Sequence, residues 1–418
     1  MLDRCFKRPH VLRRLRANPA RRDLDRMAAY LLERGYAIGT IRHYIEAVEH
    51  FGRWIERKGV LPSAIDEQVV TTFLCGHLPR CRCPFPNAQR LVTVRAALGH
   101  MLFVKQELNP SRCLPEKLSP VEAILQDFDL HMQSVCGLAK STRCCRLRIA
   151  REFLQGIFRG VPLRFDRLTV KDPIAFIVRY AHRHCPGSVQ LAGSSLRRLF
   201  RFLEFRGLCT GQLTSAVPPV SNREAAPIPK TLNEEQLKRF LESFDRSTAV
   251  GRRGYAMALC MADLGLRAGE VAQLRLADLD WRESTLRVPA TKTRRCNFLP
   301  LLPRVGQAIV QYLRHGRPGL SRREVFLPHR APFRTPLPAS AVRSAMARAY
   351  ARTGCDRRWS GTHMLRHTAA TRMIQRGATL KEIADILGHR SIDTTTIYAK
   401  VNLPMLANVA MPWPEVHP

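Results

Sequence analysis

The segment AVPPVSNREAAPIPKT, residues 216–231, constrains this chain more than any other stretch. It carries Pro218, Pro219, Pro227 and Pro229. Proline has no amide donor and biases the residue before it toward extended backbone, so neither a helix nor a central strand runs through. The segment reads as a linker, and the blocks on its two sides follow different grammars. At 418 residues the chain exceeds one ordinary core, which already calls for several domains.

Before the linker, the pattern is helical and repeats. Residues 27–60 read MAAYLLERGYAIGTIRHYIEAVEHFGRWIERKGV, with Tyr44, Val48, Phe51 and Ile55 at helical spacing and Thr40 placed to cap the second helix. Residues 125–160 follow the same layout: a short helix, a turn near Gly137, then Ser141 and Thr142 ahead of a longer amphipathic helix. Each set leads into another pair of helical stretches, ending in ALGHMLFVKQEL (97–108) and SLRRLFRFLEFRGL (195–208). We read a diverged duplication of an all-helical unit of about 90 residues, with domains expected at 1–112 and 118–215.

After the linker, helix alternates with short strands. Asn233 followed by Gln236 is a capping pair, and Gly254–Leu264 continues as helix. Two strand-like runs, Thr285–Pro289 and Phe298–Leu301, flank the basic turn TKTRRC, and helices are expected over Ser340–Arg352, His363–Arg376 and Leu380–Leu387. The expected fold class is therefore mainly α with a small antiparallel β-sheet in the C-terminal domain, residues 232–412.

Charge selects the partner. Lys and Arg number 68 against 34 Asp and Glu, a net charge of +34 and a pI near 10.8. Such a surplus suits a polyanion, double-stranded DNA before an anionic membrane surface, because the charge runs through every segment and forms no basic tail. A ribosomal-type binder would share this balance, so charge alone does not choose the chemistry. No apolar stretch approaches membrane-span length, and the opening MLDRCFKRPH lacks the apolar core of a secretory signal, so a cytoplasmic protein is expected. The 13 cysteines are odd in number, which favours free thiols. The cluster Cys75, His77, Cys81 and Cys83 has metal-ligand chemistry, but its spacing, C-x-H-x3-C-x-C, fits no common structural zinc pattern. The reading here is unligated thiols, with neither metal nor cofactor.

The residues able to do chemistry lie after the linker. Arg267 follows a glycine break in LGLRAGE, Lys292 sits in the basic turn, and His363-Met364-Leu365-Arg366 opens a helix that Thr362 can cap. Leu365, Ala369 and Met373 make that helix's buried stripe, and His363 and Arg366 project from one side of it. Bare spacing admits His367 as well. Thr379 and Glu382 form a capping box for the next helix, which ends at Gly388 and leaves His389 in the following turn. Tyr398 follows in a Thr-rich segment. Two arginines, a lysine, two histidines and a tyrosine can gather on one phosphate. Arginine forks clamp the non-bridging oxygens as negative charge builds. A phenol titrates near pH 10, so only about one in a thousand is ionised at neutrality and it needs a base and nearby cations. A lysine on a turn can protonate the departing oxygen, a task Arg294 and Arg295 perform poorly because they stay protonated.

The stretches LGLRAGEVAQLRLADLDW (264–281), THMLRHTAATRMIQRG (362–377) and LGHRSIDTTTIYAKV (387–401) resemble the catalytic domain of the tyrosine recombinases: phage integrases, Xer-type recombinases and transposases built on the same domain. The two helical units resemble that family's core-binding domain, although the family pattern has one such unit. The resemblance implies that Arg267 and Arg366 grip the scissile phosphate and that Lys292 is the general acid. It implies that His363 assists proton transfer at the tyrosine, His389 contacts the phosphate, and Tyr398 forms a 3′-phosphotyrosyl bond. Glu270 would support Arg267, and a packed structural role suits His367. Metal-independent strand exchange by a homo-tetramer, or a hetero-tetramer with sibling recombinases, follows, serving integration, excision or transposition of a mobile element. The alternatives are a type IB-like relaxing enzyme and a catalytically silent DNA-binding protein. Every expected position is filled, which counts against decay, and no carboxylate trio supports a metal-dependent transposase. Tyr312 and Tyr350 are expected in the core; Arg322, Arg323, Arg357 and Arg358 read as phosphate contacts or solvated surface.

Overall fold

A computed structural model describes residues 1–83, 90–108, 119–159, 162–220, 229–288, 297–333, 335–354, 361–389, 391 and 394–401. The chain forms two compact units, residues 1–108 with 226–418, and residues 109–225.

Residues 1–108 make a helical bundle of α1 (Leu2–Cys5), α2 (Pro9–Arg16), α3 (Arg21–Glu33), α4 (Ile38–Arg57), α5 (Glu67–Thr72) and α6 (Leu91–Leu108). The apolar stripe of α4 is fully buried at Ile41, Ile45, Val48, Phe51 and Ile55, as helical periodicity requires. Thr40 does not cap this helix. Gly35, at φ 76, closes α3, and the chain re-enters helix so soon that Ala37 is the N-cap and Thr40 lies inside the first turn. A buried carboxylate, Glu49, is held by Arg14 at 2.8 Å and Arg53 at 3.1 Å, so its charge is paired where it leaves water.

The unit of residues 109–225 holds α7 (Pro120–Ser134), α8 (Lys140–Ile157), α9 (Lys171–Ala181), α10 (Pro186–Phe205) and α11 (Gln212–Ala216) around Phe128, Phe153, Phe200 and Phe202. Ser141 and Thr142 lie within α8, whose N-cap is the extended Ala139. In this unit α7 packs on α8 and both pack on α10; in the first bundle α3 packs on α4 and both pack on α6. The two helical segments thus share one packing order. Arg197 donates to the carbonyls of Val217 and Pro218, at 3.2 and 3.0 Å. The start of the proline segment is therefore fastened to this unit: proline lacks a donor but keeps its carbonyl.

The C-terminal part comprises α12 (Glu234–Glu242), α13 (Ala249–Ala262), α14 (Ala268–Gln273), β1 (Leu279–Asp280), β2 (Thr285–Val288), β3 (Asn297–Pro300), α15 (Pro303–His315), α16 (Ala339–Arg352), α17 (Thr362–Gln375) and α18 (Leu380–Leu387), then a 3-10 turn over Thr396–Val401. Helix α13 is apolar all round its last turns, every residue from Ala256 to Ala262 being buried, and it packs on α12, α14, α15, α16 and α17. Tyr312 and Tyr350 are buried in this core. The strands run antiparallel in the order β1-β2-β3, with Leu286 opposite Leu299 facing inward. Asn297 donates to the carbonyl of Asp385 at 2.5 Å, tying β3 to α18. The fold is mainly helical with a small antiparallel sheet, as the sequence pattern implies. Among the described residues no helix is long and apolar enough to cross a membrane.

Candidate active site

Three local devices build the site. The first is the break after α13. Gly265 adopts φ 67, a conformation in which a side chain is strained, and a methyl group there would press into Leu387. The chain reverses tightly and leads into α14, with Arg267 at its N-cap. Glu270 then locks that arginine in place: its carboxylate accepts from the Arg267 amide and from the guanidinium, both at 2.7 Å.

The second device is α17. Its N-cap is Gly361, not the Thr362 that the sequence pattern suggested, because Thr362 is already helical and buried. Leu365 and Ala369 face the core and Met373 is half-buried. Arg366 is only 4% exposed. Its guanidinium donates to the carbonyl of Gly265 at 2.6 Å and of Leu387 at 2.5 Å, so one planar fork ties the turn after α13 to the end of α18. The Leu387 carbonyl closes α18, where it lacks an intrahelical partner and carries partial negative charge, a suitable anchor for a buried cation.

The third device is the end of α18. Thr379 and Glu382 form the capping box at its start, and Gly388 takes the left-handed conformation at its end, φ 61. His389 follows and is fixed by Thr395, whose Oγ1 lies 2.7 Å from His389 Nδ1. Tyr398 is 1% exposed and packs on Ala370, Ile374, Ile383 and Leu387. Its hydroxyl lies 2.8 Å from His367 Nδ1.

The electrostatics report the convergence. Burial first, and then repulsion from Arg267, lowers Arg366 to about 10. His389 falls to about 4, from burial first and then from Arg366 and Arg267. His367 is lowered by burial, then by His363 and Arg366. Burial raises the Tyr398 phenol, while Arg366 and Arg267 pull it down. These cations and histidines disfavour one another's charge, and a bound phosphate anion would relieve that repulsion.

Arg267, Arg366, His389 and Tyr398 are thus brought together. His363 sits exposed one turn before His367, their rings 6.4 Å apart. The histidine beside the phenol is His367, to which the sequence argument gave a structural role. Bare spacing along α17 admits His367, one turn after His363; it is the family pattern that prefers His363. Lys292 lies outside the described residues, as do Arg294, Arg295, Arg357, Arg358 and the chain beyond Val401. Arg322 is paired with Glu324 at 2.8 Å.

The model of the phage integrase family matches residues 230–403. Over 389 residues the chain is 33% identical to the putative integrase/recombinase y4rA of Sinorhizobium fredii, covering 93% of each. It is 30% identical to y4rF, a second putative integrase/recombinase of that organism, covering 99% of this chain and 96% of the other. In fold it is similar to XerH site-specific recombinase, solved bound to a palindromic difH substrate in a post-cleavage complex: TM-score 0.54, 18% identity, 72% of this chain and 98% of that one.

Proposed function

The chain belongs to the phage integrase family of tyrosine recombinases, enzymes that cleave and rejoin DNA, and on that premise we propose that it exchanges strands at specific sites through a 3′-phosphotyrosyl bond to Tyr398. The observation that carries this reading is the Tyr398 phenol, held 2.8 Å from a histidine nitrogen beside two arginines.

In the proposed step the Tyr398 oxygen attacks phosphorus and the bond from phosphorus to the 5′ oxygen breaks. The phenolic proton passes to His367, and His363, on the exposed side of the same helix, assists its transfer. The departing 5′ hydroxyl takes its proton from Lys292. Arg267 and Arg366 hold the two non-bridging oxygens, and His389 contacts the phosphate. The guanidiniums are oriented before substrate arrives, by Glu270 and by the carbonyls of Gly265 and Leu387, so little reorganisation is spent in the transition state. The phosphotyrosyl bond retains the energy of the bond it replaces, so a second DNA end is joined by the reverse step without ATP.

Exchange between two duplexes cuts four strands, each needing its own nucleophile. That requirement supports four subunits, identical or mixed with sibling recombinases. The integrase/recombinase designation of full-length relatives supports a mobile element as the substrate. Expressed beside the DNA that flanks its own gene, the protein is expected to generate recombinant junctions detectable by sequencing. Relaxed plasmid topoisomers with no junctions would instead mark a relaxing enzyme.

A further inference from the structure

We propose that His50, His77, Cys81 and Cys83 bind one zinc ion in a closed tetrahedral site within the N-terminal bundle. His50 comes from the middle of α4 and is fully buried. His77 ends the π-helical turn Phe73–His77 that follows α5, and wide turns of this kind recur at functional sites. Cys81 and Cys83 lie on the extended segment just beyond. The ligating atoms of all four fall within 4.8 Å of one another.

Three of the separations lie close to those of a coordination sphere. Zinc at about 2.3 Å from sulfur and about 2.0–2.1 Å from nitrogen places tetrahedral neighbours roughly 3.3–3.8 Å apart. The two Nε2 atoms of His50 and His77 are 3.3 Å apart, Cys81 Sγ is 3.3 Å from His50 Nε2, and Cys83 Sγ is 3.9 Å from His77 Nε2. His50 Nε2 therefore faces a ring nitrogen and a sulfur at once, whereas a single ring proton would serve one of them. One cation at their centre serves all four.

The surroundings suit a structural ion. The sulfurs receive hydrogen bonds, Cys81 from the Cys83 amide at 3.3 Å and Cys83 from the Arg57 guanidinium at 3.6 Å, the outer contacts that orient thiolate ligands. Phe73 stacks on His77 at 5.2 Å and meets His50 at 5.3 Å, an apolar wall on the site. Four protein ligands leave no position for substrate, so the ion's role is to fasten the segment after α5 to α4. Spacing along the chain hid the site: Cys75, in the sequence cluster, is exposed and outside it, and the fourth ligand is the distant His50.

The test uses the full chain, produced with zinc in the medium and dialysed against metal-free buffer. Mass spectrometry of metals is expected to find about one zinc per chain. Cobalt exchanged into the wild-type protein is expected to give the visible bands of a tetrahedral ion and a thiolate charge-transfer band. Cys81→Ser and Cys83→Ser are expected to lose the metal, and Cys75→Ser to keep it. The cobalt spectrum on the wild type keeps the proposal testable should the variants misfold. A wild-type protein with no stoichiometric zinc and no thiolate-to-cobalt band overturns it, as does a Cys83→Ser variant that folds and binds zinc normally.

Discussion

Replacing Gly265 by alanine is expected to damage both stability and cleavage, although the residue touches no DNA in the proposed mechanism. A Cβ on backbone at φ 67 costs about 1–2 kcal/mol. The added methyl also presses into the Leu387 side chain, and an overfilled core site costs about 1–3 kcal/mol more. The expected loss is therefore roughly 2–5 kcal/mol, read from urea denaturation midpoints at unchanged slope. In a Leu387→Ala background the clash disappears and the strain remains, so the same glycine substitution is expected to cost only about 1–2 kcal/mol. Activity follows through Arg366, because the carbonyls of Gly265 and Leu387 both anchor it. A displacement of about 1 Å at a positioned catalytic group is worth roughly a hundredfold in rate. Should Gly265→Ala be as stable as wild type and cleave DNA normally, the account of how Arg366 is positioned fails.

Two further outcomes are expected. His389 and His329 are both lowered from 6.5 to about 4, in each case mainly by burial. Unfolded histidine binds a proton near 6.5 and these bind theirs only near 4, so the unfolded state takes up more protons between those values. Their contribution is complete above about pH 6.5 and is lost as pH falls toward 4, by up to about 3 kcal/mol for each; denaturation midpoints at pH 7.5 and 5 measure it, and a flat profile contradicts it. His367→Gln is expected to slow single-turnover cleavage by about a hundredfold or more, through loss of the group that receives the phenolic proton. Cleavage at the wild-type rate would return that role to His363 alone.

What was legible in the sequence is what is set locally. The capping boxes at Asn233 and Thr379 and the left-handed Gly388 are each decided within a few residues, and the structure holds them as read. Strands β2 and β3 each fall within one residue of the strand-like runs that foretold them. Thr40 and Thr362 failed as caps because a threonine near a helix start has the right chemistry wherever it stands. What decides the cap is where the preceding turn releases the chain, and at α4 that is set by Gly35. The arginines, His389 and Tyr398 were legible as a set because short motifs carry them. The pairing of Tyr398 with His367, and of His50 with Cys81, depends on which faces of distant segments meet, and neither periodicity nor spacing holds that information.

In the proposed reaction Tyr398 supplies the oxygen that attacks phosphorus. A suicide substrate, nicked so that the cleaved fragment diffuses away, traps the covalent complex as a band of reduced mobility on a denaturing gel. The account predicts that wild-type protein forms that band, and that Tyr398→Phe binds the same DNA yet forms none. A covalent adduct from the Tyr398→Phe protein would contradict it.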